Sequence, residues 1–224
     1  MKKLVYIALM FAFVCFGQGL AETAEDKLWA AKNFWRQATV ETVSVWLDAG
    51  NDPSLPIADS LTPLHFAAGY GNVAVLPLVL EAAETVNPRD AGGNTPLHYA
   101  ALYNSPASVL VLLNHGADQE SRNSDGRTPL HLAAGYGQPM TVYALLGAGS
   151  VRDAIDRDGR TPLHLAAAFH NPEALSILRE AGADASQRDH HGDTPKMLLH
   201  RNETRKNAPF WRRLLYFYDE LLGG

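Results

Sequence analysis

The tetrapeptide Thr-Pro-Leu-His occurs four times in the chain, at Thr62–His65, Thr95–His98, Thr128–His131 and Thr161–His164. Consecutive copies are 33 residues apart, and a degenerate copy at Thr194–Met197 continues the same period without an insertion. Self-similarity at such a fixed period is the signature of stacked repeats rather than of one globular core. The sequence therefore predicts a solenoid in which each unit packs against its neighbours.

Each unit also carries the signals for two helices. Threonine can cap a helix N-terminus and proline suits the first helical position, so Thr-Pro starts the first helix. A pair of alanines within that helix is small enough to let neighbouring helices approach closely. The second helix ends at a glycine, and a turn containing Asp and Gly leads into the next unit. The alanine pairs are Ala67-Ala68, Ala100-Ala101, Ala133-Ala134 and Ala166-Ala167, and prolines open the second helix at Pro106, Pro139 and Pro172.

These features resemble the ankyrin-repeat family. The resemblance covers roughly Val40 to Pro195, and the exact period of 33 residues makes it specific. It implies an all-α, ankyrin-repeat solenoid of helix pairs with β-hairpin or turn fingers, and a concave surface that usually binds another protein. It divides the chain into a signal peptide (1–21), an N-terminal capping repeat (22–60), four inner repeats (61–193) and a C-terminal capping repeat (194–224).

Two of these units depart from the pattern. In the Thr62 unit, Pro77 falls where the second helix should be interior, which costs about 3 kcal/mol in a straight helix. Ala83 replaces the closing glycine of the same helix, so we expect this helix to be bent or shortened. The first unit places Phe34 and Trp35 where later units have alanines, as suits a terminal unit that must close its own core. Its second helix is predicted from an apolar face of Val40, Val43, Trp46 and Leu47.

The N-terminus has the pattern of a signal peptide. Two lysines precede an apolar run of 13 residues, Leu4–Phe16, and small residues follow at Gly19 and Ala21, which predicts cleavage before Glu22. The alternative is an uncleaved anchor, but a membrane span needs about 20 apolar residues. We therefore expect an exported protein, periplasmic or secreted, without a stable membrane span once the leader is removed.

The composition of the mature chain limits its partners. After cleavage 17 basic residues remain against 24 acidic ones, a net charge of −7, which makes nucleic acid a poor partner. Cys15, the one cysteine, lies in the leader, so the mature chain needs no disulfide and offers no thiol nucleophile. No Gly-x-Ser-x-Gly, His-Glu-x-x-His or phosphate-binding glycine loop is present. We expect a non-enzymatic protein that uses no cofactor and is a monomer when unbound.

Histidines form the first group of candidate site residues. The four histidines of the repeated tetrapeptide could be read as a metal ladder, but equivalent residues on packed helices lie about 10 Å apart, too far to share an ion with bonds near 2 Å. The resemblance instead implies structural hydrogen bonds. The pair His190-His191 lies in a turn with two carboxylates, but its spacing matches no usual zinc pattern, so we interpret it as a solvated finger tip.

The second group is an aromatic row that recurs two residues after each alanine pair. In the ankyrin-like arrangement this position ends the inner helix and faces the concave groove, so we expect one continuous aromatic stripe. Grouped surface aromatics usually mark an interaction site. The alternative is that the rings merely cover helix ends or pack on the next repeat. The row consists of Tyr70, Tyr103, Tyr136 and Phe169.

The third group comprises finger residues, which differ from repeat to repeat and so can encode partner specificity. The alternative is that they are ordinary solvated turn residues. The candidates for partner binding are Asn94, Asp125, Arg127, Arg157, Asp158 and Arg160, with Asp59, Leu61 and Asp193 at related positions.

The C-terminal segment Phe210–Leu222 mixes aromatic residues with arginines and follows a lengthened turn at Asn202–Asn207. We interpret it as a capping helix whose arginines stay in water, although such a helix could also lie in a membrane interface.

Taken together, the sequence predicts a periplasmic scaffold that binds another exported protein through its groove and fingers, for instance an enzyme that it inhibits or stabilises. Two alternatives remain open. One is a secreted effector that binds a host protein, and the other is an envelope-associated structural protein that uses the C-terminal helix.

Overall fold

The computed structural model describes residues 24–57, 60–70, 72–103, 105–136 and 139–204, with side chains from 31 to 201 within these ranges. The predicted leader (1–21), Asp59 and the predicted final helix Phe210–Leu222 lie outside the described residues.

The described residues contain eleven helices arranged in two rows. The inner row consists of Ala24–Gln37, Pro63–Tyr70, Pro96–Leu102, Pro129–Tyr136, Pro162–Ala168 and Pro195–Thr204. The outer row consists of Val40–Asp48, Leu76–Ala82, Pro106–Asn114, Pro139–Gly147 and Pro172–Glu180. The inner helices pack on one another more closely than the outer helices do, so the stack curves with the inner row on its concave side. The all-α repeat solenoid predicted from the sequence is confirmed.

The inner helices begin at the repeated tetrapeptide for the expected reason. In the Thr161 repeat the threonine is the N-cap with extended backbone, proline follows in the first turn, and the threonine Oγ1 accepts a hydrogen bond of 3.4 Å from the backbone N–H of His164. The alanine pairs of the four intact repeats are fully buried between neighbouring inner helices. Their small side chains allow the close spacing that curves the stack.

The outer helix of the Thr62 repeat is shortened, as predicted. It spans seven residues, Leu76–Ala82, whereas the next one, Pro106–Asn114, spans nine. Pro77 therefore lies in the first turn, where no intrahelical hydrogen bond is lost. Ala83 ends this helix in an extended conformation, while Gly116 ends the next one with the left-handed φ of +84° that favours glycine.

The first helix pair closes its end of the core with large aromatic side chains. Trp35 is 2% exposed, and its ring meets that of Trp46 edge to face at 5.8 Å. Val43 is buried with them, but Val40 is 45% exposed, so the apolar face predicted for the outer helix is narrower than expected. None of the helices in the described ranges is long and apolar enough to cross a membrane.

The fingers are tight turns joined edge to edge. Each closes through a backbone hydrogen bond across five residues, such as Asp90 N–H to Asn94 C=O at 3.0 Å, with a left-handed glycine inside the turn. Successive fingers are then linked by backbone bonds, among them Ser124 N–H to Gly92 C=O at 2.8 Å. The fingers therefore form one hydrogen-bonded edge beside the groove.

Candidate functional site

The four histidines of the tetrapeptides form joints between repeats. All four side chains are fully buried. In the Thr95 repeat, Nδ1 of His98 accepts the backbone N–H of Thr95 at 3.2 Å, while Nε2 lies 3.0 Å from the carbonyl oxygen of Arg127 in the next repeat. His65, His131 and His164 repeat this arrangement, each with a carbonyl 29 residues further along the chain. The structural reading of these histidines is confirmed.

These hydrogen bonds fix the protonation state of each ring. A backbone N–H can only donate and a carbonyl can only accept, so Nδ1 is bare and Nε2 carries the proton. A second proton on Nδ1 would face the threonine N–H. Burial lowers the pKa of all four histidines, in His98 and His131 to about 4. The rings are therefore neutral joints at physiological pH.

The His190-His191 turn is organised around a carboxylate. Oδ1 of Asp189 accepts backbone N–H groups from His191 and Asp193, both at 2.9 Å. The His190 ring lies directly against Gly159 of the preceding finger, where an added Cβ would be only 2.6 Å from it. Within the described residues no group of three His, Cys, Asp or Glu side chains is placed to hold a metal ion.

The aromatic row lies at the C-terminal ends of four inner helices, and its rings stack in two pairs. The ring centroids of Tyr70 and Tyr103 are 4.3 Å apart, and those of Tyr136 and Phe169 are also 4.3 Å apart. Tyr103 is 41% exposed, and the other three rings are half-buried. Both readings of the row therefore hold in part, because the rings pack on the next repeat and still present surface to the groove.

Glycines explain where the rings pair. A Cβ added at Gly69 would lie 3.0 Å from the Tyr103 ring, and one added at Gly135 would lie 3.1 Å from the Phe169 ring. These glycines thus leave the space that the ring of the following repeat occupies. The same position is leucine in the Thr95 repeat, at Leu102. The alternation between glycine and larger residues is visible in the sequence, but its meaning depends on which ring it faces.

A second tyrosine supports the first pair from below. The Tyr99 hydroxyl donates a hydrogen bond of 2.9 Å to Oδ2 of Asp90, and its ring meets the His65 ring edge to face at 5.3 Å. Burial, followed by the hydrogen bond with Tyr103, raises the pKa of Tyr70. The pair is therefore uncharged at neutral pH and rests on the buried histidine joints.

Two cations cover the ring of Tyr70, and the sequence pattern did not reveal them. Nζ of Lys32 lies 4.7 Å from the ring centroid and Cζ of Arg36 lies 5.5 Å from it, both within the range of cation–π attraction. Arg36 precedes Gly69 by 33 residues, so it occupies in the first repeat the place that glycine has in the next. That register was the available signal, and the first unit's lack of the tetrapeptide obscured it.

The finger residues divide into two sets. Asp125, Arg157 and Asp158 are exposed at the turn tips, as a partner-binding role requires. Arg127 is only 5% exposed, and its Nε lies 3.6 Å from Oδ2 of the equally buried Asp156 in the next finger.

The remaining two finger candidates also make scaffold contacts. Arg160 pairs with Asp158 at 2.6 Å and with Asp156 at 3.1 Å, and Asn94 receives a hydrogen bond of 3.0 Å from Nδ2 of Asn123. These contacts favour a role for Arg127, Arg160 and Asn94 in joining fingers, and they leave the three exposed residues as the stronger candidates for partner contact.

Comparison with known proteins agrees with this architecture. A family model for ankyrin repeats, comprising three copies, matches residues 28–123 and again residues 116–189. A search of curated proteins found no match to the sequence.

Proposed function

The chain belongs to the ankyrin-repeat family, and from that premise we propose that it binds a partner protein in the concave groove, with the aromatic row and the exposed finger tips as its contacts. Ankyrin repeats indicate a protein–protein interaction scaffold. The groove and the individual residues are our assignment.

The observation that carries the proposal is the half-covered ring pair of Tyr70 and Tyr103. Tyr103 remains 41% exposed although the ring beneath it is packed and hydrogen-bonded. Because its position is already fixed by stacking, it can present apolar surface to a partner without a large loss of side-chain entropy. Tyrosine is among the residues enriched at binding hot spots.

The proposed role is binding without catalysis. An open groove between fingers and inner helices is accessible to water, whereas catalysis relies on a dry, preorganised site. The four buried histidines are committed to joints between repeats, so they do not supply a general base to the groove.

The proposed location follows from the predicted leader. Export places the chain in the periplasm or outside the cell, so the partner is another exported protein. An enzyme of that compartment, inhibited or stabilised by the bound scaffold, is the role that we favour.

The test is affinity capture from an extract of the exported fraction of source cells. The mature protein is compared with a variant carrying Tyr103→Ala and Tyr136→Ala. Tyr143→Ala serves as the matched control, because Tyr143 is 51% exposed but lies on the outer helix Pro139–Gly147. We expect a bound protein that is retained by the control and lost by the groove variant.

Circular dichroism and thermal unfolding establish that both variants remain folded. A captured set that is the same for all three proteins would contradict groove binding. Loss of a protein with Tyr143→Ala alone would place the contact on the convex side instead.

A further inference from the structure

The Tyr70 end of the groove carries positive charge that the scaffold itself does not use. Resting on the proposed groove function, we propose that Lys32 and Arg36 form a recognition site for an acidic segment of the partner protein. A partner carboxylate would bind between the two cations, and the neighbouring residue of the partner would pack on the Tyr70–Tyr103 pair.

The two cations share one face of the inner helix Ala24–Gln37. They are four residues apart, which places them one helical turn from each other on the same side. Both head groups lie over the single ring of Tyr70, at 4.7 and 5.5 Å from its centroid. Arg36 is exposed, and Lys32 is half-buried. The ring thus holds two positive charges side by side at the edge of the aromatic surface.

Other arginines of the described residues are matched with carboxylates, but these two cations are not. Arg127, Arg160 and Arg201 all make ion pairs with aspartates of the fingers. No ion pair found among the described residues involves Lys32 or Arg36. Their charges are therefore available to an incoming anion, and no internal pair has to be broken first.

Charge complementarity selects the occupant. The whole chain has a net charge of −5, so a pair of uncompensated cations is a local exception on an acidic protein. The adjoining ring pair adds apolar contact area, which a free inorganic anion would not use. A protein segment that combines Asp or Glu with an apolar or aromatic residue satisfies both features. The cation–π contacts hold the two long side chains in place and so lower the entropy lost on binding.

The experiment is a selection of phage-displayed random peptides on the full mature chain. Peptides are retained only if their binding is lost with the Tyr103→Ala and Tyr136→Ala variant, which restricts the set to the groove. We expect these peptides to be enriched in Asp and Glu next to an apolar residue. One enriched peptide, synthesised with a fluorescent label, then gives dissociation constants by anisotropy at low and high salt.

Neutral variants test the cations directly. Lys32→Gln with Arg36→Gln keeps the side-chain length and is expected to weaken this peptide about tenfold, because two partly exposed ion pairs are lost. High salt should weaken wild-type binding and have less effect on the variant. Arg179→Gln, an exposed arginine of the outer helix Pro172–Glu180, is the charge-matched control and should change nothing. Lys32→Arg should retain the affinity.

The outcomes separate the two proposals. Groove-dependent peptides without acidic enrichment, or an affinity that the double Gln variant leaves unchanged, would overturn the acidic recognition site and leave the groove function standing. A library that yields no groove-dependent peptide would overturn the groove function itself.

Discussion

Two columns of side chains run along the same inner helices with the same period of 33 residues, and they differ completely in what they contact. The histidine column, represented by His65 and His98, is fully buried with both ring nitrogens bonded. The aromatic column starts five residues later, at Tyr70 and Tyr103, and remains half-covered. Five residues correspond to about 140° around a helix, so the two columns face different surroundings.

The contrast shows that repetition alone does not identify a site. Both columns repeat equally well, and histidine has the richer chemistry. The histidines are excluded as ligands because each of their nitrogens already has a partner within the scaffold. The rings remain candidates because part of their surface has none. The following predictions test how far this separation between joint and surface extends.

Acid should weaken the histidine column most strongly. The folded pKa of His98 and His131 is about 4, against 6.5 for an unperturbed histidine. Between these values the unfolded chain binds protons that the folded chain does not, so stability is complete above about pH 6.5 and falls as the pH drops to about 4. Each of these two histidines contributes about 3 kcal/mol to the loss. Urea unfolding at a series of pH values measures it, and a midpoint that is constant from pH 7 to 4.5 would contradict the joint model.

Removing one joint should have the next largest effect. His98→Leu fills a similar volume but leaves the Thr95 N–H and the Arg127 carbonyl without their partner, which should cost about 3 kcal/mol. The slope of stability against pH between 4.5 and 6 should also fall by about 1.4 kcal/mol per pH unit, the value for one proton. His115→Leu, at an exposed histidine of the outer row, is the control and should shift the urea midpoint little. Equal shifts in the two variants would refute the assignment.

Removing a ring should matter much less for stability. Tyr103→Ala loses one stacked, partly exposed contact, so the free energy of unfolding should fall by about 1 kcal/mol. Tyr143→Ala, on the outer row, gives the cost of removing an exposed tyrosine that is outside the aromatic row. A loss of about 3 kcal/mol or more at Tyr103 would show that this ring is a joint as well.

Filling the space at Gly69 should affect stability least and the surface most. In Gly69→Leu the side chain displaces the Tyr103 ring from Tyr70, while the better helix propensity of leucine offsets part of the cost, leaving a net change below about 1 kcal/mol. NMR contacts between the two rings should disappear, together with partner capture. Gly147→Leu is the control, since a Cβ there meets nothing within 4 Å. Retained ring contacts in Gly69→Leu would sink the idea that glycine determines the pairing.

The sequence was sufficient for the fold because every element has a local signal that repeats. Thr-Pro starts the inner helices, glycine ends most outer helices, and alanine pairs mark the buried interface. Even the shortened outer helix of the Thr62 repeat could be predicted, since Pro77 excludes a regular helix interior.

The site was less predictable because it depends on contacts between repeats rather than within them. The period identifies the aromatic row, but ring pairing requires knowing that Gly69 faces Tyr103. The burial of Arg127 follows from a carboxylate one finger away, at Asp156. Lys32 and Arg36 belong to the irregular first repeat, so no tetrapeptide aligned them with the groove.

The acceptor at every histidine joint is a main-chain carbonyl, which has a consequence for how such an array can lengthen. The residues that supply these carbonyls are Asn94, Arg127, Arg160 and Asp193, four positions with three different side chains. A duplicated stretch of one period would bring its own histidine donor and its own carbonyl acceptor, and both new junctions would close whatever side chain stands there. Gene duplication can therefore add units in whole numbers, while mutation diversifies the turn before each threonine without cost to the joint.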